Sequence, residues 1–224
     1  MSRAELRVLE DPAAELAQML GEAVRAGAHI VLTGGSSPKR AYELAAAAGD
    51  DWSGVTLWFG DERCVAPDDE RSNFAMVDAA LLSHLDSVPA VHRMEGERGP
   101  EEGAAAYEAL VREALGDTPA WDLLLLGLGP DSHCASLFPN RPEKDVEDRL
   151  VVGVPEAGME PYVARISLTM PALNAAKRVV FLVTGESKRE AVRRAFVDAD
   201  PASPAARVRP AGELLVLLDE AAKP

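Results

Sequence analysis

Four consecutive leucines, Leu123 to Leu126, run directly into Gly127-Leu128-Gly129-Pro130-Asp131-Ser132-His133. A short apolar run bounded by polar and glycine residues reads as a strand buried on both faces, as in a parallel sheet. Burying both faces requires helices on each side, so this stretch predicts an α/β fold with a mainly parallel sheet and helices on both faces. In open α/β sheets, ligands bind outside the carboxyl ends of the strands. The titratable pair Asp131 and His133 falls at such an end. Cys134 to Phe138 then reads as the first turns of a helix that stops at Pro139.

The rest of the chain repeats this alternation. Leu16, Met19, Leu20 and Val24 stand at helical spacing between Pro12 and Gly27, which predicts a helix over 13–26. A strand over 29–33 leads into Gly34-Gly35-Ser36-Ser37-Pro38, followed by a helix over 39–48. A strand over 55–59 leads into Gly60-Asp61-Glu62-Arg63-Cys64. Ser72 is placed to cap a helix over 73–84 that buries Phe74, Val77, Leu81 and Leu82. Residues 88–94 fit a short strand or a loop, and 100–115 a packing helix with acidic residues in its opening turn. Residues 140–148 read as a surface loop, and 150–154 and 163–168 as strands. Thr169 is placed to cap a short helix to Ala176, and 178–184 is another buried strand. Gly185-Glu186-Ser187-Lys188 turns the chain into a helix over 189–197. A loop over 198–210, a last strand over 213–218 and a frayed acidic tail complete the chain. At 224 residues and 47% hydrophobic composition, one domain over 1–224 is the simplest organisation.

The formal charge is −14. That leaves no basic face of the kind a nucleic-acid binder needs. An acidic surface also repels anionic substrates, so cations serving one must be gathered at a single site. The opening ten residues are charged and lack the apolar centre of a signal peptide. No apolar run approaches the roughly 18 residues of a membrane span. Cys64 and Cys134 make neither a disulfide framework nor a zinc motif. The expectation is a soluble cytoplasmic protein with no nucleic-acid or membrane partner, either a monomer or a weak homo-oligomer.

Right-handed crossovers in a parallel sheet would open the turns at Gly34, Asp61, Gly127 to Gly129 and Gly185 on one edge. Ser36, Arg63, His133 and Lys188 would then share one crevice. Strand, glycine turn and helix at Gly34, Gly35, Ser36 and Ser37 would offer backbone N–H groups and a helix dipole to an anion, although an ordinary tight turn fits as well. Neither a P-loop nor a dinucleotide fingerprint is present. Lys188 at a helix start is unfavourable unless an anion offsets its charge. Arg165 fits either a phosphate site or the surface, and Asp61-Glu62-Arg63 either a site or a solvated turn. His29, His84 and His92 read as structural. Ser132 lacks the G-x-S-x-G context of a nucleophile, and neighbours of His133 are poorly placed to pair with it. The two cysteines read as small buried thiols, with a redox pair beside the site as the alternative.

Four ordered motifs carry a resemblance that covers almost the whole chain. Residues 127–139, GLGPDSHCASLFP, resemble the signature G-x-G-x-D-G-H-x-A-S-L-F-P of the 6-phosphogluconolactonases. Ser132 stands where glycine is usual, and Cys134 where threonine is common. LTGGSSPKRAYELAA resembles the phosphate loop of those enzymes and of the related glucosamine-6-phosphate deaminases. The pattern D-E-R-x-V-x-P-x-x-x-x-S-N from Asp61 to Asn73 resembles the second lactonase motif. RISLTMPALNAAKRVVFLVTGESK resembles the last.

The resemblance implies hydrolysis of 6-phospho-D-glucono-1,5-lactone to 6-phosphogluconate in the oxidative pentose phosphate pathway, with no cofactor and no catalytic metal. It implies that His133 activates water, with Asp131 orienting His133 and Asp61 orienting Arg63. The loop of Gly34, Gly35, Ser36 and Ser37, with Lys188 and Arg165, would hold the phosphate. Arg63 would polarise the lactone or touch the phosphate. If Ser132 needs a positive φ, serine carries strain that glycine would not. Two alternatives are an amino-sugar phosphate deaminase and a non-catalytic sugar-phosphate sensor. Deaminases generally carry D-E-Y, and Phe-Asn-Glu-Pro after the histidine, where this chain has Asp61-Glu62-Arg63 and Ser136-Leu137-Phe138-Pro139. A sensor would need an attached DNA-binding module, and none is seen.

Overall fold

The computed structural model describes residues 4–224. Met1 to Arg3, the start of the charged opening stretch, lie outside the described residues. In chain order the elements are β1 (Glu5–Val8), α1 (Pro12–Arg25), β2 (His29–Leu32), α2 (Ser36–Ala47), β3 (Thr56–Phe59) and β4 (Asp61–Arg63). Then come α3 (Asn73–Ala80), β5 (Ala90–Val91), α4 (Pro100–Leu115), β6 (Leu123–Leu126), β7 (Val151–Val154) and β8 (Arg165–Leu168). The chain ends with α5 (Met170–Asn174), β9 (Arg178–Val183), α6 (Arg189–Val192) and β10 (Glu213–Leu218).

Seven strands form one sheet in the order β1-β10-β9-β6-β2-β3-β5. Every pairing in it is parallel. All four leucines of β6 are buried, as a strand covered on both faces requires. Helices lie on both sides. Trp58 packs edge-on against Tyr107 of α4, while its neighbour Phe59, which faces the other way, packs against Phe74 of α3. Strands β3 and β5 lie to one side of β2, whereas β6, β9, β10 and β1 build out on the other. The crevice between the carboxyl ends of β2 and β6 is therefore a topological switch point, where ligands bind in such sheets.

A second, antiparallel sheet of β4, β8 and β7 roofs that edge. It leaves the main sheet at Gly60, whose carbonyl accepts Leu168 N–H at 2.9 Å. Asp61-Glu62-Arg63 is not the solvated turn that the sequence allows. These residues are a strand with Asp61 and Glu62 buried, because they pair with Ser167 and Ile166.

Other local expectations change as well. Residues 134–138 form no helix. Ser132 and Ala135 have φ of 68° and 48°, and Cys134 and Leu137 close a tight bridge. The helix expected over 73–84 ends at Ala80, since Leu81 leaves helical geometry at φ −133° and a 3₁₀ turn follows. Thr169 does not cap α5 with its side chain; its hydroxyl donates to the Arg149 carbonyl at 2.7 Å. The tail is docked rather than frayed. Ala222 is fully buried, and Asp219 accepts N–H bonds from both Gly185 and Ala222.

Candidate active site

One crevice at the switch point is lined by Gly34, Gly35, Ser36, Ser37, Asp61, Arg63, His133, Arg165 and Lys188, with Asn73, Phe138, Thr184, Met159 and Glu160. The structure thus brings together every candidate except Asp131, which reaches the crevice through His133.

The first wall is the start of α2. This helix begins at Ser36, earlier than the sequence pattern placed it, because Gly35 takes φ 111° and turns the chain out of β2. No side chain caps that end, so first-turn N–H groups are left for an external anion. A β-carbon on Gly34 would overlap the side chain of Asn73, so only glycine fits there. Tyr42 holds the loop to β2 by donating to the Thr33 carbonyl at 2.8 Å and accepting its N–H at 3.1 Å. Ser37 Oγ and Thr184 Oγ1 are 2.8 Å apart, which ties this loop to the end of β9.

Lys188 sits on the opposite wall and donates from Nζ to the Leu128 carbonyl at 2.7 Å. Burial pushes its pKa below that of an ordinary lysine, with the charge of Asp131 opposing the shift. It closes a 3₁₀ turn, Glu186–Lys188, just ahead of α6.

Between these walls stands His133. Its Nδ1 is 2.6 Å from Asp131 Oδ1, and its backbone N–H donates to the same oxygen at 3.1 Å. A carboxylate only accepts, so Nδ1 carries a proton, and in the neutral imidazole Nε2 is the nitrogen left with a lone pair. Burial pushes the Asp131 carboxyl up, but its hydrogen bond to His133 and the imidazole charge outweigh that and hold it below the usual range. A β-carbon at Gly129 would overlap the imidazole, so that glycine is required by the close approach of the ring.

The roof supplies two arginines. Arg165 is buried rather than at the surface, with Nε and one Nη held by the carbonyls of Val163 and Pro161. Desolvation lowers its pKa, and Asp61 is the leading charge that opposes this. Arg63 donates from Nη1 to the Arg71 carbonyl at 2.5 Å. Asp61 does not pair with Arg63. Its carboxylate accepts the Ser136 hydroxyl at 2.6 Å and the Asn73 amide at 3.2 Å. Asp61 instead fastens the His133 turn through Ser136, while Arg63 is engaged by the Arg71 carbonyl.

Glu62, Asn73, Ser136 and Thr184 all lie inside the four motifs, but no local sequence pattern marks their roles, which come from partners brought in by the fold. His29, His84 and His92 do lie outside the crevice. His29 accepts from Trp58 Nε1 at 3.1 Å, and His92 packs on the same indole. Cys64 and Cys134 are both free thiols. Burial raises Cys64 to about 11 and Cys134 further, which leaves both protonated and unreactive near neutral pH. Among the described residues, no group of three His, Cys, Asp or Glu side chains is placed to hold a metal ion. No helix among them is long and apolar enough to cross a membrane.

A family model described as glucosamine-6-phosphate isomerases/6-phosphogluconolactonase matches residues 4–217. The chain belongs to this family. Within it, a 6-phosphogluconolactonase of Nostoc sp. is 41% identical over 202 residues, covering 86% of this chain and 82% of the relative. The 6-phosphogluconolactonase of Streptomyces coelicolor is 42% identical over 222 residues, covering 90% and 83%. The solved 6-phosphogluconolactonase structure from Thermotoga maritima superposes with a TM-score of 0.83 at 29% identity, covering 97% of this chain and 100% of that one.

Proposed function

We propose that this chain is a 6-phosphogluconolactonase, hydrolysing 6-phospho-D-glucono-1,5-lactone to 6-phosphogluconate. The observation that carries the proposal is the His133–Asp131 pair at 2.6 Å within a crevice where Arg63, Arg165 and Lys188 concentrate positive charge on a chain of net charge −14. A lactone is an activated ester. Its hydrolysis needs a base for water and a donor for the charge that develops on the carbonyl oxygen.

The phosphate sits between the first turn of α2 and Lys188, whose ammonium turns from the Leu128 carbonyl to the anion. Nε2 of His133 takes a proton from water as the oxygen attacks C1. Arg63 stabilises the oxyanion, and Arg165 adds positive charge beside it. The C1–ring-oxygen bond then breaks, and the imidazolium returns its proton to the departing ring oxygen. Asp131 keeps the imidazole in the productive tautomer throughout, and Asp61 anchors the His133 turn through Ser136. The two free thiols fit a reducing, cytoplasmic setting.

The test is turnover of the lactone generated in situ, followed as 6-phosphogluconate with a coupled dehydrogenase. Wild type should accelerate it well beyond spontaneous hydrolysis, and His133→Ala should lose more than ~100-fold, the weight of a general base. Acceleration that survives the substitution would remove His133 from the role of base. A folded wild type that fails to accelerate, or that releases ammonia from glucosamine 6-phosphate instead, would overturn the lactonase reading.

A further inference from the structure

We infer that Phe138 is a positioning residue for His133, and that through Phe138 the segment 155–163 at the crevice mouth controls how the imidazole is held. The inference rests on His133 acting as the base proposed above.

The imidazole is constrained in three ways. Asp131 fixes Nδ1. Gly129 lies against the ring, since an added β-carbon would overlap Nδ1, Cε1 and Cγ together. Phe138 packs on it with ring centroids 4.6 Å apart and planes tilted by 48°. The first two constraints come from the loop that carries His133. The third comes from a side chain that belongs to a different cluster.

Phe138 does not join the main core. With Val154 and Ala157 it forms a separate apolar cluster, flanked by Val152 and Met159. Three of these five residues, Val152, Val154 and Phe138, sit on or beside the roof sheet; Ala157 and Met159 belong to segment 155–163. Gly158 of that segment presses directly on the phenyl group. A β-carbon there would lie 2.8 Å from Phe138 Cγ and 2.9 Å from its Cβ and Cδ1. Those atoms are close to the backbone and cannot swing aside as the end of a long side chain can.

The segment is itself tied to the site. Met159 and Glu160 line the crevice, and Arg165 grips the carbonyls of Pro161 and Val163. At its outer end Glu156 pairs with Arg141 at 2.8 Å, three residues after Phe138. A shift of 155–163 therefore has a short mechanical route to the imidazole: Gly158 to Phe138 to His133. Because an interior is close-packed, a displacement of one member is passed on rather than absorbed.

Four proteins test this: wild type, Phe138→Leu, Gly158→Ala and the double variant. Their kcat, KM and melting temperature would be measured, together with the NMR position of the His133 Cε1–H proton. Leucine keeps apolar bulk but removes the flat ring. Alanine at 158 meets Phe138 before anything else. Each single variant should lower kcat about tenfold, less than the ~100-fold that a full 1 Å misplacement can cost, with KM within about twofold. The double variant should be no worse than Phe138→Leu alone, because the two changes act through one ring. Gly158→Ala should also move the Cε1–H resonance.

A Gly158→Ala variant with unchanged kcat, or one altered only in KM, would overturn the inference. So would losses that simply multiply in the double variant. Were wild type inactive on the lactone, the functional proposal would fall while the resonance still reported the coupling. An unmoved resonance in Gly158→Ala would then overturn it independently.

Discussion

Asp131 Oδ1 accepts both the Nδ1 proton and the backbone N–H of His133, at 2.6 Å and 3.1 Å. One oxygen thus fixes the tautomer of the imidazole and the conformation of the turn that carries it. Replacing this carboxylate by an amide keeps an acceptor but removes the charge that stabilises an imidazolium. Asp131→Asn should therefore lower kcat about 10- to 100-fold with little change in KM. A large KM change with kcat preserved would show that Asp131 serves binding instead.

The depressed Asp131 pKa also has a sign. Its contribution to stability is present above the unfolded carboxylate value of about 3.9 and is lost as pH falls through the lower folded value. Wild type should lose melting temperature more steeply than Asp131→Asn over that acid window. Parallel pH profiles for the two proteins would contradict the assignment.

What was legible in the sequence was whatever a single strand and its following turn could encode. His133, Lys188 and the Gly34 loop each follow a buried strand, so the switch-point rule places them on one edge without knowledge of strand order. What was illegible depends on distant partners. The pairing of β4 with β8 buries Asp61 and Glu62, although locally they look like a solvated turn. Asp61 binds Ser136, 75 residues away, and not its near neighbour Arg63. Residues 134–138 have helix-like spacing. Yet Ser136 donates its hydroxyl to Asp61 and its N–H to Ser167 Oγ, and those bonds pin a turn where a helix was expected. The docked tail likewise depends on Asp219 reaching Gly185.

Lys188 carries a pKa lowered by burial. It loses its proton below the ordinary lysine value of about 10.4. Its folded value lies below its unfolded one, so this group favours the folded state increasingly as pH rises through that window. Anion binding runs the other way, because the neutral amine no longer attracts phosphate. Calorimetric titration with inorganic phosphate should show affinity weakening as pH rises, beginning below the ordinary lysine range, while Lys188→Arg, which stays charged, should remain nearly flat. An equal decline in both proteins would assign the dependence to another group.

Ser132 adopts φ 68°, a conformation costly for any residue with a β-carbon, and its buried hydroxyl donates to the Asp131 carbonyl at 2.5 Å. Strain and hydrogen bond oppose each other. Ser132→Ala keeps the strain and loses the bond, so it should cost about 1 kcal/mol in urea unfolding. Ser132→Gly loses the bond but relieves about 1–2 kcal/mol of strain, so it should equal or exceed wild type. A glycine variant less stable than the alanine variant would mean that the backbone there is not strained.

Glu62 is a buried carboxylate with four donors. Its Oε1 accepts the N–H groups of Arg63 and Asn73, at 2.6 Å and 2.7 Å. Its Oε2 accepts Phe74 N–H at 2.8 Å and the Ser72 hydroxyl at 3.0 Å. The residue therefore caps α3 from β4 and holds Arg63 and Asn73, both crevice residues, at a fixed separation. Burial raises its pKa, and these donors resist the rise. Each oxygen serves two donors, so an amide cannot substitute: either orientation of glutamine points its NH₂ group at donors. Glu62→Gln should cost about 1–3 kcal/mol of stability. It should also lower kcat by displacing Arg63 from the oxyanion. A stable Glu62→Gln variant with wild-type kcat would show that the cap is dispensable and that Arg63 is held by its bond to the Arg71 carbonyl alone.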